Sequence, residues 1–126
     1  MSNRNAMDSK AKKYILRFNQ SNADSVYSFE TLRRGAKRIE TRAATEKYRR
    51  IRAGDTLVFV CGENKFERRV KKTSLFRSIN AMLRKYRVKD IMPDRFLKKE
   101  LENAYNSYTG YKDKIKRFGL VAFEIG

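Results

Sequence analysis

Residues 35–42 read GAKRIETR, a glycine, three cations and one carboxylate gathered around a single isoleucine. A half-buried strand alternates apolar and polar residues, and here Ile39 is the only clearly apolar member. The segment is expected to begin a strand whose charges serve something besides a hydrophobic core. On its N-terminal side Val26, Phe29 and Leu32 recur at spacings of three. This predicts a short helix, capped by Asp24 or Ser25 and closed by Gly35 in the left-handed conformation that glycine tolerates. Before it, Tyr14 to Phe18 reads as a first strand, and the polar run Asn19 to Asp24 reads as a turn.

On the C-terminal side, Gly54-Asp55 marks a turn, and Thr56 to Cys61 is an almost continuous apolar run with the length and β-branched content of a buried strand. Cys61-Gly62-Glu63-Asn64 makes a hairpin turn into Phe66 to Thr73. There Phe66, Arg68, Val70 and Lys72 alternate with Glu67, Arg69, Lys71 and Thr73, a pattern expected of a basic edge strand. Leu75, Ile79, Met82, Leu83 and Tyr86 fall at helical spacing. So do Leu97, Leu101, Ala104, Tyr105 and Tyr108, in a helix expected to start near Pro93 and Asp94, because proline fits a first turn. Gly119 to Ile125 closes the chain as an apolar strand. This order predicts an α+β domain, a small and mostly antiparallel sheet or β-barrel flanked by short helices. One domain over residues 13–126 is expected, after a flexible tail of residues 1–12.

Charge limits the partners. The 126 residues carry 31 lysines and arginines against 14 acids, a formal net charge of +17 that repels itself unless a polyanion relieves it. RNA is the expected partner. The sequence contains no histidine, which removes histidine triads and histidine acid–base pairs. Neither a metal nor another cofactor is expected. The lone Cys61 lies inside an apolar run and reads as a buried thiol in a reducing cytoplasm. No apolar run approaches the roughly 18 residues of a membrane span, so no membrane association is expected.

Gly35, Lys37, Glu40 and Arg42 together resemble the GxKxxExR signature of the ASCH domain family, within the PUA-like β-barrel superfamily. The flanking segments Ile51-Arg52-Ala53-Gly54-Asp55 and Tyr108 to Ile125 are similar to that family in order and spacing, so the resemblance covers residues 14–126. It implies a PUA-like barrel with a cleft beside the motif that binds RNA or a modified nucleotide. Some members are amidohydrolases of 4-acetylcytidine that use a lysine, a threonine nucleophile and a distant glutamate. Lys37 matches that lysine, but Glu40 stands in the threonine's place, and a carboxylate cannot replace a hydroxyl in acyl transfer without forming an anhydride. The neighbouring Thr41 would point to the opposite face of the strand.

Other members act as ribonucleases. A metal-independent version would use Lys37 to hold the phosphate and Glu40 to accept the ribose proton. RNA binding is thus the leading function, with an RNA-metabolism enzyme, ribonuclease or nucleoside amidohydrolase, as the alternative. Lys37, Glu40 and Arg42 are expected in the cleft. Arg69, Lys71 and Lys72 form a candidate phosphate track, and Tyr111 with Lys112, in a basic loop after Gly110, is a candidate stacking platform. Two conditions attach to the motif. Lys37 and Glu40 converge only if Lys37 lies in the turn before the strand. If the three charges instead pair with one another in the interior, they hold the domain together.

Overall fold

The computed structural model describes residues 11–126. Its elements run β1 (Lys13–Phe18), α1 (Ala23–Arg34), β2 (Ile39–Ala43), α2 (Glu46–Arg49), β3 (Thr56–Cys61), β4 (Asn64–Phe76), α3 (Ile79–Met82), α4 (Val88–Ile91), α5 (Lys98–Asn106), α6 (Tyr111–Phe118) and β5 (Leu120–Ile125). Most of the expected tail, residues 1–10, lies outside the described residues. Lys12 is already tied down: its N–H donates to Asp55 Oδ1 at 3.0 Å and its carbonyl accepts the Thr56 N–H at 2.8 Å.

The five strands form one sheet in the order β1-β3-β4-β5-β2. Only β1 and β3 pair in parallel; every other pair is antiparallel. The sheet curls into a half-barrel, and its two end strands approach across an open seam, where the Arg42 guanidinium of β2 lies 4.7 Å from the centre of the Phe18 ring of β1. The result is a small, barrel-like α+β fold.

The strand expected at a basic edge is central. β4 is 13 residues long; its first half pairs with β3 and its second half with β5, with a register shift between Val70 and Lys72. A central strand with one solvated face shows the same polar alternation as an edge strand, so side-chain pattern alone does not separate them. Arg69, Lys71 and Lys72 are accordingly exposed although β4 lies between two other strands in the sheet order.

Two cores lie on opposite faces of β2 and β5. Inside the curl, Leu16, Phe29, Leu57, Phe59, Val70 and Phe123 pack together, with Cys61 buried among them as expected. On the outer face Ile39, Ala43, Leu120 and Ala122 meet Met82, Ile91, Leu101, Tyr105 and Ile115 from the later helices. Because both faces of β2 are covered, its charged residues have no solvated side to occupy.

Several boundaries differ from expectation. Asn22, not Asp24 or Ser25, caps α1, accepting the Ser25 N–H at 2.9 Å. Leu75 belongs to β4 and is exposed, while a cap by Ser78 starts the short α3 after it. Pro93 and Asp94 make a turn after α4, and α5 begins only at Lys98, where Glu100 accepts the Phe96 and Leu97 N–H groups at 3.0 Å each. Among the described residues, no helix is long and apolar enough to cross a membrane.

Two glycines differ in what they hold. Gly35 ends α1 at φ +84°, with open space where a Cβ would sit. Gly119, between α6 and β5, has φ +78° and ψ −162°, and a Cβ there would lie 2.4 Å from the Phe76 carbonyl oxygen. Gly35→Ala is therefore expected to cost about 1–2 kcal/mol in urea denaturation, the left-handed penalty alone. Gly119→Ala should cost clearly more, since an essentially glycine-only backbone region and a backbone clash coincide. Equal losses would contradict this placement.

Candidate functional site

The motif's geometry follows from how α1 ends. After the left-handed Gly35, the Lys37 N–H donates back to the Thr31 carbonyl at 2.9 Å, which keeps Lys37 outside β2 and folds its side chain underneath. The condition for convergence with Glu40 is thus met. The Lys37 ammonium donates to the Ile91 carbonyl of α4 and lies 3.6 Å from Glu40 Oε1. Glu40 Oε2 accepts from Arg42 Nε at 3.0 Å. Lys37 is 3% exposed and Glu40 4%, so the charges are interior ones that pair with one another.

Their surroundings shift their titration. Burial pushes the Lys37 ammonium below its ordinary pKa, and Glu40 only partly opposes this. For Arg42 burial also disfavours charge, but Glu40 together with Tyr111 and Tyr48 outweighs it and the pKa rises. Two cations share one carboxylate, which leaves the cluster with one surplus positive charge in a low-dielectric setting.

The cluster borders a cavity of about 310 Å³ in the seam between β1 and β2. Ser25 and Ser28 of α1, Tyr105 of α5, Tyr108 of the following turn and Tyr111 at the start of α6 complete its wall. Thr41 lines it too, which corrects the expectation that a residue beside Glu40 would point away. Alternation holds, since the Thr41 and Tyr105 hydroxyls share a 2.5 Å hydrogen bond on the outer face. The cavity reaches both faces because β2 ends the sheet. As the edge is otherwise unpaired there, the Tyr111 hydroxyl accepts the Ala43 N–H at 2.6 Å. Desolvation pushes Tyr108 and Tyr111 up to about 12, and Tyr105 higher still.

Lys37, Glu40, Arg42 and Tyr111 therefore meet around one space, and the remaining expected site residues do not. Tyr111 opens a helix instead of standing in a loop, and its ring packs 5.4 Å from Tyr108 and 6.0 Å from Tyr105. Lys112, next to it, is exposed beside a separate groove with Ile79 and Ile115. Arg69, Lys71 and Lys72 lie on the solvated face of β4. Sequence reading missed Ser25 and Ser28, whose signal was two small polar residues three apart on the helix face that also carries Phe29 and Leu32. It favoured the core over base stacking for Tyr105 and Tyr108.

No family model and no curated protein matches the chain. Solved structures do. The crystal structure of hypothetical protein PH0355 superposes with a TM-score of 0.71 at 26% identity, over 92% of this chain and 97% of that one. The solution NMR structure of protein PF0455 from Pyrococcus furiosus gives 0.63 at 25% identity, over 90% and 94%. Both likenesses extend over the half-barrel and its helices together.

Removing Glu40 leaves two buried cations facing each other. Glu40→Ala is expected to cost about 3–5 kcal/mol, a fall of roughly 10–20 °C in melting temperature for a domain of this size. A loss of only a degree or two would mean that water reaches the cluster freely. The tyrosines set the alkaline limit. Their folded pKa values exceed the unfolded value of 10.0, so their contribution is intact below pH 10 and is lost as pH rises through about 12. Lys37 has the opposite sign: its folded pKa lies below 10.5, so its penalty fades as pH approaches that value. Stability should hold up to about pH 10 and fall above it, with phenolate absorbance of the buried rings appearing only as the fold is lost.

Proposed function

We propose that this protein is an ASCH-type member of the PUA-like superfamily that binds RNA, holding one base or modified nucleotide in the seam cavity. The observation that carries the reading is the meeting of Lys37, Glu40 and Arg42 with three tyrosines around a space of about 310 Å³. That is the low end of the size range of ligand pockets, and it suits a single flat heterocycle better than a helix or a peptide. Glu40 is the acceptor for a ring N–H or exocyclic amine, while the surplus positive charge favours an electron-rich or anionic edge. The tyrosine rings offer apolar faces, and the +17 charge supplies the long-range attraction for a polyanion.

The same contacts favour binding over turnover. The Lys37 ammonium is engaged by the Ile91 carbonyl and by Glu40, so the two groups that a metal-independent ribonuclease would use as phosphate holder and base are spent on each other. Glu40 in the place of a nucleophilic threonine likewise argues against nucleoside amidohydrolysis. A single free, buried Cys61 is compatible with the reducing cytoplasm as the place of binding.

Titration of short single-stranded RNAs tests this. Affinity should fall steeply with salt, with a log–log slope of about 0.7 per neutralised phosphate. Glu40→Gln keeps the side chain's shape and, measured per folded molecule, should narrow the difference in affinity between preferred and disfavoured bases. A flat salt response, or base preference unchanged in Glu40→Gln, would remove the reading.

A further inference from the structure

A second concavity backs onto the first. Lys37 and Ile91 line the seam cavity, whereas their chain neighbours Arg38, Lys89 and Asp90 line a separate groove of about 500 Å³ together with Lys71, Tyr86 and Glu124. The contact between the Lys37 ammonium and the Ile91 carbonyl is thus a wall one residue thick, with a different concavity on each side. Lys37 turns into the seam cavity, while the next residue, Arg38, lines the groove.

The charges of this groove are unbalanced. Of its two acids, Asp90 is paired with Arg87, accepting its N–H at 2.8 Å and its guanidinium at 3.3 Å, while Glu124 Oε2 accepts the Tyr86 hydroxyl at 2.5 Å, a neutral partner that does not offset its charge, so three lining cations face one unpaired carboxylate. Arg38 from the loop before β2, Lys71 from β4 and Lys89 from α4 are exposed and form no ion pair among the described residues. The β-bulge at Lys71 is what brings a β4 side chain to this place. Beyond Glu124 the crowding continues, where contact with Lys72 lowers the Lys85 ammonium. Three convergent unpaired cations in a concave site make a place for a tetrahedral anion, because arginine and lysine together supply both directed and point-charge donors.

We propose that the groove between Arg38, Lys71 and Lys89 is a phosphate subsite that carries the backbone of the RNA strand whose base enters the seam cavity. This rests on the RNA-binding reading. It adds a position for the phosphodiester backbone: the groove that adjoins the base cavity on the far side of the Lys37–Ile91 contact, reached by the strand passing around that wall. The seam cavity discriminates and the groove fixes register, the usual division between base and phosphate contacts.

The test compares wild-type protein with the triple variant Arg38→Gln, Lys71→Gln, Lys89→Gln and with an equal charge loss elsewhere, Arg50→Gln, Arg52→Gln, Lys65→Gln. The probes are a single-stranded RNA oligonucleotide across a salt series and the corresponding free nucleoside, which has no phosphate. In the groove variant, oligonucleotide affinity at low salt should drop by at least about tenfold and the salt slope should shrink by about 0.7 per phosphate contact removed. Nucleoside affinity should stay at the wild-type level. The distant variant should lose much less oligonucleotide affinity and keep most of the slope. Melting curves confirm folding, and Lys89→Glu alone serves in the triple variant's place if that variant is unstable. If wild type binds oligonucleotide but both triple variants weaken it equally, the subsite is wrong and the RNA reading stands. If wild type binds no RNA at low salt, both are wrong.

Discussion

One carboxylate held between two buried cations at an unclosed edge is the constraint on which the rest of this structure depends. The sheet ends at β2, and across the seam from it stands β1, the other end of the curl. An edge of this kind needs its backbone groups satisfied and its side chains covered. Tyr111 supplies an acceptor to Ala43, the later helices cover the outer face, and Glu40 with Lys37 and Arg42 occupies the inner one. Three charges inside a small domain are costly to desolvate. They are tolerated because each is bound: Lys37 by a carbonyl and a carboxylate, Glu40 by both cations, Arg42 by Glu40 and the face of Phe18.

The same arrangement leaves a cavity in the seam. A hydrophobic filling would close the half-barrel into a sealed core, whereas polar groups committed to one another leave a shaped cavity whose wall carries directed donors and acceptors. The tyrosines play a double part, since their rings wall the cavity while their hydroxyls hold the backbone and Thr41.

The long strand β4 shows how charge and topology are reconciled. Its first half closes the hairpin with β3 and its second half pairs with β5, so one strand links the two halves of the sheet. With Val70 and Phe66 turned into the inner core, Arg69 between them faces water, while Arg68 lies over the Phe66 ring. A surface so basic at the centre of a sheet is stable alone only because one side of it is fully solvated.

Element type was largely legible in the sequence, because it depends on local rules. The apolar run Thr56 to Cys61, the three-residue spacing of Val26, Phe29 and Leu32, and the helix stop at Gly35 each follow from neighbours a few positions away. So did the burial of Cys61 and the grouping of Lys37, Glu40 and Arg42. Tertiary structure decided which strands are edges, because side-chain alternation reports a solvated face and carries no record of backbone pairing; β4, read as an edge, lies at the centre for that reason. It also decided that the motif's charges are interior, since the cover over β2 comes from α4, α5 and α6, some 50 to 70 residues later in the chain. Whether a charged residue meets water or another charge depends on such distant segments, and no local pattern contains them.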